Sequence, residues 1–244
     1  MRYSLLLIVL FFVACSPTYT AQELVDKSIE YSGLNNLKKS TVTFDFRDKS
    51  YEAVRNNGSF VLNRTFVKDS ANYKDVLSNN GFQRFINNTE IELSEKDKNR
   101  FSNSVNSVHY FSVLPLGLND KAVHKKVLQS VMIKGLHYYK IQVTFSEDGG
   151  GEDFDDVFIY WIRKDTFQLD YLAYKYKTNK GGVRFRELKE QCVKNGVRFV
   201  DYVNYKPVNL DIDFFSIDKL YEEGKLKKVS EIVLENIEVK LDNN

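Results

Sequence analysis

The chain has 244 residues and a formal net charge of +2, with 35 basic and 33 acidic residues and no dense Lys/Arg stripe. Nucleic-acid affinity rests on clustered positive charge, so that role is excluded. With 18 Phe, 15 Tyr and only 3 Pro, the composition favours β-strands over disorder.

The amino terminus carries Arg2, an unbroken apolar run from Leu5 to Val13, then Ala14 and Cys15. A positive start, a short apolar stretch and a small residue before the cut describe a secretory signal peptide. The run is too short to span a bilayer, which takes about 20 residues. Phe12-Val13-Ala14-Cys15 resembles a lipobox. Its thiol would accept a diacylglycerol, and each buried methylene of that anchor adds about 0.8 kcal/mol of membrane affinity. The reading assigns 1–14 to the signal peptide, 15–22 to the lipidated Cys15 and a polar tether, and 23–244 to one domain. Acylation of Cys15 leaves Cys192 as the one thiol, so no internal disulfide is expected.

Ala21 to Ser32 has helical spacing, with Gly33 as a stop. Thr41 to Arg47 alternates, placing Val42, Phe44 and Phe46 on one face. Tyr51 to Arg55 and Ser59 to Val67 flank the turn Asn56-Asn57-Gly58 and form a hairpin. Asp69 to Asn88 is less regular and holds one or two short strands. Ser94 caps the strongest helix, which runs to about Leu114 and carries Phe101, Val105, Val108, Phe111 and Ser112 near one face. Strands follow at Val123–Ile133, His137–Phe145, Asp155–Arg163, Leu169–Lys177, Val183–Cys192, Val197–Tyr205 and Glu231–Leu241. Asp155–Arg163 is apolar on both sides, which predicts a covered central strand. The expected fold is mainly β (α+β): a strongly curved antiparallel sheet or half-open β-barrel, with one or two helices on its concave side.

The chemistry-bearing residues are sparse. The acidic loop Glu147 to Asp156 has glycines and carboxylates but not the EF-hand spacing, so a solvated hairpin loop outweighs calcium binding. His109, His124 and His137 belong to no zinc or HExxH pattern, and Cys192 reads as a small core residue. Arg184, Arg186 and Arg198 recur on neighbouring strands; such a fork could bind an anion, but cross-strand pairing with carboxylates is the favoured reading. The segment Tyr110 to Leu118 is apolar through a helix end and loop, so it either fills the concave sheet or stands over an opening in it.

Tyr110-Phe111, Leu114 to Asp120, Lys140 to Phe145, Gly149 to Val157, Tyr160-Trp161-Ile162, Asp170 to Tyr174, Gly182 to Arg186 and Arg198 to Tyr202 occur in this order. Together these stretches resemble an uncharacterised family of bacterial envelope lipoproteins similar to the lipoprotein-carrier superfamily typified by LolA and LolB. The resemblance implies a half-open barrel closed by helices around an apolar interior, and it carries over no catalytic residue.

The leading expectation is therefore a non-catalytic, lipid-anchored module that holds an apolar ligand or a lipidated protein. Tyr110, Phe111, Leu114, Leu116, Leu118 and Trp161 would line or cover the cavity. No metal or cofactor is expected, and the chain is read as a monomer attached to the membrane by its acyl anchor. The resemblance, with Ser16 after the cysteine, points to the periplasmic side of the outer membrane. The alternatives are an envelope adaptor with a filled core, and a hydrolase using Asp153, Asp155 or Asp156.

Overall fold

A computed structural model describes residues 18–148, 154–177 and 181–242. Cys15 and the signal segment lie outside the described residues, as does the centre of the acidic loop, Asp153 included.

The chain begins with helix α1 (Ala21–Tyr31), whose N-cap Thr20 and Glu23 form a reciprocal capping box that satisfies otherwise unpaired amides. Gly33, in the left-handed region at φ 66°, ends it. Strands β1 (Lys39–Phe46), β2 (Lys49–Asn56), β3 (Ser59–Lys68), β4 (Ala71–Ser78), β5 (Gly81–Ile86) and β6 (Thr89–Glu90) then form a continuous antiparallel meander. Helix α2 (Glu95–Ser112) follows, with Ser94 as its N-cap. A second meander contains β7 (Val123–Ile133), β8 (Leu136–Phe145), β9 (Val157–Arg163), β10 (Leu169–Tyr176), β11 (Gly182–Lys194), β12 (Val197–Pro207) and β13 (Leu226–Ile232). The short helix α3 (Ile217–Glu222) interrupts it, and β14 (Glu235–Leu241) ends the described chain.

Two seven-stranded antiparallel sheets result, and neither closes into a barrel. The first has the order β14-β1-β2-β3-β4-β5-β6 and the second β13-β12-β11-β10-β9-β8-β7. The mainly β class with helices inside the curve is as expected; the single long sheet divides in two. The break falls inside the expected strand Glu231–Leu241. Its first part pairs Ile232 with Tyr202, and its second pairs Glu235 with Asp45. Between them the amide of Leu234 donates to Asp201 Oδ1 at 2.9 Å, which turns the chain from one sheet to the other.

Alternation along the second sheet supplies two cores. Ile141, Val143, Phe158, Tyr160, Ile162 and Leu172 face the first sheet and α1, meeting Leu24, Val25, Val42 and Phe44 there. Ile159, Trp161, Tyr171, Ala173, Val183 and Phe185 face outward, where Phe214, Ile217 and Tyr221 of the α3 region cover them. Strand β9 is thus buried on both faces, as its continuous apolar run predicts.

Candidate functional site

Helix α2 touches different partners on its different sides. Along one side Phe101, Val105 and His109 lie over the first sheet. The strand register there aligns Phe44, Tyr51, Arg64, Asp75 and Arg84 in one cross-strand row. Asp75 is fully buried and accepts from Arg64 at 2.6 Å and from Arg84 at 2.6 Å. Arg64 Nη1 also donates to Ser104 Oγ at 2.7 Å, and the Arg84 guanidinium lies 3.4 Å from the Phe101 ring centroid. His109 Nε2 lies 3.0 Å from the Asn63 carbonyl oxygen, so the tautomer protonated at Nε2 donates there. Burial is the main force on its pKa, lowering it to about 4. This row fixes the helix above the sheet.

Along another side of α2, Asn103, Ser107, Val108 and Phe111 face the inner surface of the second sheet across a cavity of about 490 Å³. That volume lies within the range of small-ligand sites, about 300–1,000 Å³. Phe145, Phe158, Tyr174, Tyr176 and Tyr202 supply an aromatic wall, with Val200, Ile232 and Leu234 beside it. The register puts Phe158, Tyr174 and Arg184 side by side on three strands. Phe158 and Tyr174 stack with ring centroids 5.3 Å apart, and Phe111 of the helix meets Tyr174 at 5.6 Å.

Two cations and one carboxylate enter this aromatic surface: Arg184, Arg186 and Asp156. Since successive residues of β11 face opposite ways, Val183 and Phe185 go to the outer core and both arginines go to the cavity. Arg186 lies 4.0 Å from the Phe111 ring centroid and donates from Nη2 to Tyr174 Oη at 3.0 Å. The arginine side chain is 8 % exposed, and its Nε has no hydrogen-bond partner among the described residues. A desolvated cation–π contact contributes about 2 kcal/mol. Removing an ion from water costs several times the strength of an ordinary hydrogen bond, so the contact offsets that cost only in part. Arg184 stacks 5.4 Å from the Tyr176 ring centroid and donates to its neighbour's carbonyl oxygen. Neither arginine has an ion pair among the described residues, which corrects the expected cross-strand pairing; Arg198 alone meets it, 3.5 Å from Asp170.

The segment Tyr110 to Leu118 divides between its two expected roles. Tyr110 and Phe111 line the cavity, and burial pushes the Tyr110 hydroxyl up to about 12. Leu114 and Leu118 are buried in the main core with Leu116 packed against it, so all three fill space and none is among the residues that line this cavity. Trp161 requires a larger correction. It is fully buried on the outward face of β9 against Phe185, on the opposite side of the sheet from the cavity. Alternation decides this, since Tyr160 and Ile162 point inward and the residue between them cannot.

Of the carboxylates proposed for hydrolysis, the two that are described, Asp155 and Asp156, have different surroundings. Asp155 pairs with Lys177 at 2.8 Å on the surface, while Asp156 lines the cavity. Among the described residues no group of three His, Cys, Asp or Glu side chains could hold a metal ion. Cys192 is half-buried beside the main core, and burial raises its thiol pKa. The polar cavity residues that the sequence reading missed, Asn103, Ser107 and Arg186 in its unpaired state, carry no local motif. For Arg186 the signal was the i, i+2 pair with Arg184, alternating with the apolar Val183 and Phe185.

The model of a family of unknown function, DUF6503, matches residues 1–235, and the chain belongs to that family. No curated protein matches. Among solved structures, the fold is similar to that of a LolA superfamily protein from Nitrosomonas europaea. The TM-score is 0.52 at 12% identity, covering 93% of this chain and 96% of that one. A DUF1329 family protein from Desulfovibrio piger is similar with a TM-score of 0.50 at 9% identity, over 93% of this chain and 96% of that one. The likeness in fold to the LolA superfamily agrees with the resemblance read from the sequence.

Proposed function

We propose that this DUF6503 member is a lipid-anchored envelope protein whose cavity between α2 and the second sheet holds the apolar chain of a ligand. The observation that carries the reading is the aromatic cavity of about 490 Å³, walled by Phe111, Phe145, Phe158 and Tyr174 and left unfilled by the Leu114–Leu118 segment. The space is within the range of small-ligand sites, and its aromatic wall suits an alkyl chain. The LolA-like fold supports a carrier-type role at the envelope, and Cys15, through its lipobox context, supplies the anchor. In this reading the protein binds and does not catalyse. Tyr110 and Phe111 belong to the binding surface, while Leu114, Leu116, Leu118 and Trp161 support it from the two cores.

The test is native mass spectrometry of the full chain after gentle extraction from membranes. One amphiphile per chain is expected on the wild type. Ser107→Trp places a large ring into the cavity from an exposed helix position, so it should lose that mass while keeping the melting temperature. A wild type that carries no lipid would contradict the reading and favour an adaptor with an empty, unused cleft.

A further inference from the structure

Five cations in the described residues are less than a tenth exposed: Arg64, Arg84, Lys140, Arg186 and Arg198. Four of them meet a buried carboxylate. Arg64 and Arg84 share Asp75, Lys140 pairs with Asp218 at 2.8 Å, and Arg198 lies 3.5 Å from Asp170. Arg186 is the exception, and it is also the one of the five that lines the cavity. Its guanidinium offers five N–H donors. One hydrogen bond, to the neutral Tyr174 hydroxyl, is made among the described residues. Buried charges are ordinarily paired, because the interior does not screen them as water does. The missing partner of Arg186 therefore belongs to something that enters the cavity.

We infer that the ligand is a single-chain anionic amphiphile whose carboxylate or phosphate oxygens accept from Arg186 while its chain lies on Phe111, Phe158 and Tyr174. This rests on the cavity reading above and names the chemistry of its occupant. Among the described lining residues the charged side chains are Arg184, Arg186 and Asp156. An anion that reaches Arg186 therefore gains by supplying the pairing that the buried cation lacks. Arg184 is half-exposed and stacked on Tyr176, so it attracts the anion toward the site. Phe111 holds one face of the Arg186 guanidinium and Tyr174 accepts from Nη2, so the remaining N–H donors are those left to a ligand oxygen. A neutral chain would fill the same space but leave the buried cation uncompensated.

The experiment titrates the full chain by calorimetry with palmitate, hexadecyl phosphate, hexadecanol, acetate and inorganic phosphate. Palmitate or hexadecyl phosphate should bind at least tenfold more tightly than hexadecanol, the size expected for a charge-assisted hydrogen bond. The tighter of the two identifies a fatty acid or a single-chain phosphate lipid, such as a lysophospholipid, as the source. Arg186→Met keeps the apolar stem on Phe111 and should remove that preference, bringing both anions to the affinity of hexadecanol. Arg186→Lys should retain part of it, which shows that charge is involved and separates this outcome from misfolding. Equal affinity for hexadecanol and palmitate in the wild type would overturn the anionic ligand and leave the cavity reading intact. Binding of acetate or inorganic phosphate as tightly as their chain-bearing counterparts would overturn the amphiphile. Failure of all three chains to bind would contradict the cavity reading itself.

Discussion

At the scale of single residues, burial decides what each polar group does. His109 sits 1 % exposed against Phe44 and Tyr51, with ring centroids 5.7 and 5.5 Å away. Its folded pKa of about 4 lies below the ordinary 6.5, chiefly because burial disfavours the charged ring, with Arg55 and Arg64 nearby adding to the effect. The native state thus stays neutral where the unfolded chain takes up a proton. Its contribution to stability is complete above about pH 6.5 and is lost as pH falls towards 4, on the order of 3 kcal/mol in all. Urea unfolding at pH 7 and pH 4.5 should show this loss in the wild type. His109→Gln, which retains a donor for the Asn63 carbonyl, should be markedly flatter over that window; an equally steep variant would assign the acid sensitivity elsewhere.

At the scale of elements, α2 links the fold to the site, and the buried ion row fixes its position. Among the described residues Asp75 is the shared counterion of two guanidiniums, one of which bonds Ser104 and the other packs on Phe101 of that helix. Asp75→Ala would leave two buried cations unpaired, so it should destabilise by about 3–5 kcal/mol. Replacing all three charges by apolar residues of similar size should cost far less, which chemical denaturation of both variants would check. The same row explains what the sequence concealed. Inward positions of β4 and β5 alternate Tyr73, Asp75, Leu77 and Phe82, Arg84, Ile86, so charge stands where the period of an ordinary strand has an apolar residue. The stretch Asp69 to Asn88 therefore read as irregular, although it is a regular hairpin. Strands with clean alternation or continuous apolar runs, such as β1, β8 and β9, were legible. Helix α3 was not, because six residues show too little of a helical period to stand out. Trp161 misled for a related reason: in a strand apolar on both faces, composition does not say which face meets the cavity. The cavity arginines were visible as a pair, but their lack of a counterion is a property of the fold.

At the scale of the whole molecule, two antiparallel sheets share one core at the α1 end, and α2 lies on the first sheet facing the aromatic wall of the second. The first sheet is locked to the helix by charge, and the second offers an inner face that the Leu114–Leu118 segment does not fill. An opening placed between a fixed helix and a covered sheet needs little rearrangement to accept a chain, which limits the entropic cost of binding. The lipid anchor proposed at Cys15 would keep that opening at a membrane, where such chains are abundant. The most direct measurement is a crystal structure of the full chain bound to a long-chain amphiphile carrying bromine on its last carbon. The account predicts one anomalous bromine peak inside the cavity, against Phe111, Phe158 or Tyr174. A peak only on the exposed surface near Val208 and Leu210, or a bound protein with the cavity empty, would contradict it.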